Sequence, residues 1–284
     1  MTTTLDDQGT VPPPPGWEPP TRRRRVPFRK TWVLVGSIFV IASVGWGAFQ
    51  LVNAFAYDKK QFRESFGTTT TATVRSLDID NDAGSVTVIA SDRNDIVIDG
   101  KVLRSLAKPK HHERVNGDVL EIGASCNALG GFCSVDYDIQ VPRDVDVRVR
   151  AGGGGVRVSN VTGDLDLRSS GGGVRVEGAT GTLFLRSSGG GITAIGLQST
   201  VVDASSSGGG VGLEFLREPV NVSATSSGGG VTVIIPDTRA TYNIQASSSA
   251  GSVSRDIRSD PDSSRRIHVS SSGGGVTLRY PESP

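Results

Sequence analysis

From residue 68 onward the chain alternates apolar and polar positions in short runs. Val156-Arg157-Val158, Val174-Arg175-Val176, Ile192-Thr193-Ala194, Val211-Gly212-Leu213, Val231-Thr232-Val233 and Val276-Thr277-Leu278 each follow a Gly-rich turn. A period of two marks a strand with one buried face. A second alternating run lies between turns, as in Leu165-Asp166-Leu167, Leu183-Phe184-Leu185 and Ile267-His268-Val269. The turn is nearly constant: Ser-Ser-Gly-Gly-Gly at 169–173, 187–191, 206–210, 226–230 and 271–275. Gly152–Gly155 precedes these, and Ser248-Ser249-Ala250-Gly251-Ser252 is a variant. The first residue after each turn falls at 156, 174, 192, 211, 231, 253 and 276, so the repeat lengthens from 18 to 23 residues.

A unit of two or three short strands cannot bury its apolar face alone, whereas stacked copies make one continuous core. The pattern therefore predicts an all-β fold, a β-solenoid or β-helix of Gly/Ser-rich coils. Glycine lacks a Cβ, adopts positive φ freely and lets backbones approach closely. The triplets are expected to stack into a seam of corners at positive φ, Gly172 among them. Phosphate cradling, the other use of Gly-rich loops, fails: no Gly-Lys-Ser/Thr follows, and these loops enter strands rather than helices. Residues 71–150 read as degenerate coils and 151–281 as regular ones. Asp82-Ala83-Gly84-Ser85-Val86 resembles the turn at Ala250–Val253, and Val135, Tyr137, Ile139 and Val141 alternate before Pro142. Lys108–His112 and the Cys126–Cys133 loop read as excursions from the coil.

Val141-Pro142 closing an alternating strand, followed by successive Ser/Gly turns before Val-x-Val, resembles the bacterial β-strand-repeat "putative adhesin" family over residues 70–280. The resemblance implies a β-solenoid on an envelope-associated protein and implies no activity.

Ahead of the repeats, residues 31–57 carry no charged side chain, and Trp32 to Phe49 is almost continuously apolar. About 20 such residues cross a bilayer core as a helix, and Trp32 and Tyr57 stand near the ends, where interfacial aromatics belong. The reading is one transmembrane α-helix contacting the lipid bilayer. Six basic residues precede it (Arg22–Arg25, Arg29, Lys30), against Lys59, Lys60 and Arg63 just after. The more basic flank stays cytoplasmic, which places the N-terminus inside and the repeats outside. Ala54-Phe55-Ala56 offers a cleaved signal peptide as the alternative. Arg24-Arg25 with Phe28 is off the twin-arginine spacing. Residues 1–30, with Pro12–Pro15, Pro19 and Pro20, read as a disordered cytoplasmic tail holding a P-x-x-P pattern. Residues 58–70 read as a juxtamembrane linker.

Charge excludes one class of partner. The whole chain carries +1, and residues 1–30 hold six basic against three acidic side chains. The repeat region is thus slightly acidic and lacks the basic balance of a nucleic-acid binder. Cys126 and Cys133 have six residues between them. A disulfide in an oxidising compartment is the favoured reading. A metal site completed by His111 and His112, and two free thiols, are the alternatives.

No shared chemistry lines up along the coils. The second-strand column reads Asp166, Phe184, Asp203, Ser223, Gln245, His268. The first-strand column reads Arg157, Arg175, Thr193, Gly212, Thr232, Ser254, Thr277. No catalytic set and no cofactor motif can be named. Arg157, Arg168, Arg175 and Arg186 occupy equivalent positions in two adjacent repeats, with Arg148 and Arg150 just before. They form a candidate anion-binding patch. Asp144, Asp146, Asp164 and Asp166 could instead neutralise them as a surface ion-pair network. The sequence thus points to a non-enzymatic, membrane-anchored envelope module with envelope polymers or other envelope proteins as partners. A signalling protein acting through its tail is the alternative, and a polysaccharide-active enzyme a third.

Overall fold

The computed structural model describes residues 62–70, 74–105, 108–126 and 132–282. The expected cytoplasmic tail (1–30) and transmembrane helix (31–57) lie outside the described residues. Among the described residues no helix is long and apolar enough to cross a membrane.

The described residues form an all-β, two-sheet fold. In chain order the strands are β1 (Phe62–Thr70), β2 (Ser76–Asn81), β3 (Val86–Ser91), β4 (Ile96–Arg104), β5 (Lys110–Asn116), β6 (Val119–Ser125) and β7 (Cys133–Pro142). They continue with β8 (Asp146–Ala151), β9 (Val156–Ser159), β10 (Leu165–Ser169), β11 (Val174–Glu177), β12 (Leu183–Ser187), β13 (Ile192–Leu197) and β14 (Val201–Ser206). The last are β15 (Val211–Phe215), β16 (Asn221–Ser226), β17 (Val231–Ile234), β18 (Asn243–Ser248), β19 (Val253–Arg255), β20 (Arg266–Ser271) and β21 (Val276–Arg279). Each repeat supplies two strands, one to each sheet. One sheet runs β1-β4-β7-β3-β9-β11-β13-β15-β17-β21-β19, and the other β18-β20-β16-β14-β12-β10-β8-β2-β6-β5. Coil pairs such as β10–β11 and β12–β13 stack in parallel and nearly in register, Leu165 beside Leu183 and Val174 beside Ile192.

The period-two pattern sets the core. Val156, Val174, Ile192, Val211, Val231 and Val276 form one buried column, and Leu167, Leu185, Ala204, Ala224 and Val269 another. β-Branched side chains suit such a pleated, buried face.

Three features depart from the sequence reading. Phe62–Thr70, expected as linker, is strand β1, paired antiparallel with β4. The coils do not all stack in chain order. β20–β21 inserts between β16–β17 and β18–β19, and β2–β3 lies between β6–β7 and β8–β9. The third concerns φ. Gly172 does not have positive φ. The left-handed residues are Asn160 (φ 60°), Gly178 (67°) and Gly196 (67°), stacked at the opposite corner, with Gly84 and Gly117 elsewhere. Asn160 fits because Asn tolerates that region better than other residues with a side chain.

The triplets are glycine for a steric reason. A Cβ on Gly172 would lie 2.4 Å from the Gly155 nitrogen, and one on Gly190 2.5 Å from that of Gly173. Each corner presses its backbone on the backbone of the next. The serine that opens each motif completes the seam. Ser206 is buried; its hydroxyl donates to the Gly190 carbonyl of the neighbouring coil (2.8 Å) and accepts the Gly209 N–H of its own turn (3.1 Å). Ser226 repeats this with Gly209 and Gly229, and Ser271 with Gly229 and Gly274. Ser248 bonds Gly274 and Gly251. The second serine of the motif faces solvent, as at Ser207 and Ser227.

Candidate binding surfaces

The polar positions of each strand pair project outward from two opposite sheets, so the molecule has two distinct faces. The four arginines do not form one patch. Arg157 and Arg175 are neighbours on β9 and β11 of one sheet. Arg168 and Arg186 are neighbours on β10 and β12 of the other. Arg157 and Arg168 lie on different sheets because the chain turns from β9 into β10 between them.

On the β10 face, Arg150, Arg168 and Arg186 form an in-register row. Beside it runs Asp78, Arg148, Asp166, Phe184, Asp203. Like charges directly opposite repel, and the second row offsets this. Asp166 takes Arg168 at 3.0 Å and Arg148 at 3.4 Å, Asp203 takes Arg186 at 2.6 Å, and Asp78 takes Arg150 at 3.3 Å. Asp146 and Asp164 serve the corner instead, accepting the backbone N–H groups of Asp164 and Thr182. An open groove of about 530 Å³ is lined here by Asp146, Arg148, Asp164, Asp166, Arg168 and Phe184, among others. Its lining holds three carboxylates and two guanidiniums. Phe184 is 45% exposed, an apolar side chain amid charge.

The β11 face carries a groove of about 500 Å³, lined by Thr87, Arg157, Arg175, Thr193 and the seam residues Gly155, Gly173 and Gly191, among others. No acidic side chain belongs to this lining. Glu177 stands two residues from Arg175 and accepts from Arg175 Nε at 2.6 Å and Arg157 Nη2 at 3.2 Å, both on Oε1. The Arg175 hydrogen bond, with the nearby positive charge of both arginines, holds the Glu177 carboxyl below its ordinary range. Sequence reasoning weighed four aspartates as neutralisers and missed Glu177. The i, i+2 spacing of Arg175 and Glu177 on one strand face was the available signal.

Cys126 and Cys133 are bonded to each other, with Cα atoms 5.7 Å apart. The bond closes the excursion between β6 and β7. His111 and His112 sit elsewhere, on β5. His111 bridges the buried Tyr137 hydroxyl (2.7 Å) and Glu113 (2.9 Å), its ring 4.4 Å from that of Phe66. The His112 ring lies across Gly123. Among the described residues no group of three or more His, Cys, Asp or Glu could hold a metal ion. In natively produced protein a thiol-specific label without reductant is expected to find neither Cys126 nor Cys133. Quantitative labelling of both would exclude the bridge.

The Toastrack DUF4097 family model matches residues 134–279, just over half of the chain and every strand from β9 to β21. No curated protein matches it significantly. Among solved structures, a "putative cell adhesion protein" from Clostridium sporogenes is 13% identical, covering 78% of this chain and 100% of that one, with TM-score 0.34. A "putative adhesin" from Parabacteroides distasonis is 9% identical, covering 78% and 98%, with TM-score 0.30. One from Bacteroides fragilis is 10% identical over the same shares, with TM-score 0.28.

Proposed function

The chain belongs to the Toastrack DUF4097 family, and from that premise we propose that it is a membrane-anchored, non-enzymatic envelope protein. It presents a rigid β-solenoid outside the cell membrane as a structural or interaction module. Residues 31–57 hold it in the bilayer, residues 1–30 stay in the cytoplasm, and the two-sheet domain meets envelope polymers or proteins.

The observation that carries this reading is the seam. Regular coils are tied to their neighbours by strand hydrogen bonds on both sheets and by backbone contact at the glycine corner, and at Ser169, Ser187, Ser206, Ser226 and Ser271 by a buried serine. Such a stack keeps its outward side chains at fixed spacing, which suits a binding surface that must not collapse. The charge-free segment at 31–57, with its basic N-terminal flank, supports the anchored orientation.

A reporter fused after Pro284 is expected to be active only outside the cytoplasm; cytoplasmic activity would reverse the orientation. The tail supports a second reading, in which a Pro/Arg-rich segment signals inward. Deleting residues 1–30 separates the two, since an anchored module keeps its role without them and a signalling protein loses it.

A further inference from the structure

We propose that the groove on the β11 face is a binding site for an acidic polysaccharide, with Arg157 and Arg175 gripping a uronate carboxylate. The inference deepens the reading of the domain as an envelope-binding module and rests on it.

Charge separates the two faces. The groove on the β10 face is lined by three carboxylates and two guanidiniums, which does not favour an anion. The groove on the β11 face is lined by two guanidiniums and no carboxylate. Glu177 is shared between both arginines through a single oxygen, and the other acids stand at the β7 end of the row, Asp136 bonded to Ser85 and Asp138 beside Thr87. Each guanidinium has five N–H donors, so most of the donor capacity of this pair is left for a ligand. The side chains are about half exposed, 51% for Arg157 and 43% for Arg175.

The geometry suits a carboxylate on a sugar chain. A carboxylate, that of Glu177, already sits against both guanidiniums, so the pair accepts this planar group. Along the outward row the order is Thr87, Arg157, Arg175, Thr193, on four adjacent strands. At about 4.8 Å between strands the row spans about 14 Å, the length of two or three linked sugars. Threonine hydroxyls on either side of the arginines offer donors and acceptors to sugar hydroxyls. Gly212 continues the row beyond Thr193, and with no side chain it keeps that end open to a longer chain.

The test measures binding by the purified full chain in detergent micelles to three polymers: polygalacturonate, poly(glycerol phosphate) and neutral dextran. Polygalacturonate is expected to bind, to weaken as salt rises, and to bind better than the other two. Arg157→Gln with Arg175→Gln is expected to weaken it at least about tenfold, since two charge-assisted contacts are lost. Arg168→Gln with Arg186→Gln, on the opposite sheet, is expected to leave binding unchanged. Glu177→Gln removes the internal competitor, and polygalacturonate should then bind several-fold more tightly. A solely structural ion pair predicts no such gain. Dextran or poly(glycerol phosphate) binding as well as polygalacturonate would overturn the proposal. So would the absence of polygalacturonate binding, undiminished binding by the first double variant, or no gain with Glu177→Gln. The membrane reporter reads orientation and this assay reads the groove, so either can fail without the other.

Discussion

Gly172→Val is expected to destabilise the purified domain by about 3 kcal/mol, the upper part of the range for forcing atoms into packed space. The cause is contact, since Gly172 has an ordinary φ. Its would-be Cβ lies 2.4 Å from the Gly155 nitrogen and 2.6 Å from the Gly154 carbonyl carbon, both backbone atoms of the neighbouring coil. Those atoms cannot step aside as a flexible side chain would, because both strands leading into that corner are held in register on each side. The two coils must separate locally, weakening strand hydrogen bonds on both sheets. Thr232→Ala, at an outward position of β17, is the control and should cost less than about 0.5 kcal/mol. Denaturant unfolding of wild type and both variants checks this. Equal midpoints for Gly172→Val and wild type would mean that the triplets are flexible linkers, and the stacked corners would be wrong.

Ser206→Ala is expected to cost about 2 kcal/mol, although it removes a single oxygen atom. The hydroxyl is the donor to the Gly190 carbonyl and the acceptor for the Gly209 N–H. Leaving buried polar groups unpaired costs about 1–3 kcal/mol. Ser207→Ala, one residue on and facing solvent, should be nearly neutral. The comparison separates a hydrogen-bonding serine from a turn-forming one within the same motif. Indistinguishable midpoints for Ser206→Ala and Ser207→Ala would show that the serine column contributes nothing to stability.

The repeat made much of this readable. The apolar alternation at Val156, Val174, Ile192, Val211, Val231 and Val276 marked the buried column, and these residues are buried together. The triplets marked the corners. Their chemistry was misjudged in one respect: glycine was expected for positive φ as well as for close approach, and the triplets show only the close approach, while Asn160, Gly178 and Gly196 at the other corner are left-handed. A sequence shows that a residue lacks a side chain but not which of two reasons excludes one. The arginines were misjudged for a related reason. Four equivalent positions in two repeats read as one cluster until the coil geometry placed Arg157 with Arg175 on one face and Arg168 with Arg186 on the other.

What the sequence determined by itself was the unit: two short strands, a glycine corner, and an inward face of Val, Ile and Leu. These follow from local physics, from alternation and from the absence of Cβ atoms, and need no knowledge of neighbours. The order in which units stack was decided only by tertiary structure. Every regular coil offers nearly the same two backbone edges, so any coil can dock on any other, and the repeat holds no address. Connection length and the available edges settle it. Five residues (178–182) link β11 to β12, in adjacent coils, whereas eight (235–242) link β17 to β18 and ten (256–265) link β19 to β20. The longer connections let the chain pass over the place beside β16–β17, form β18–β19 beyond it, and return with β20–β21 to fill the gap. Strand hydrogen bonding then favours the filled arrangement, because a vacant place would leave the facing edges of both neighbouring coils unpaired.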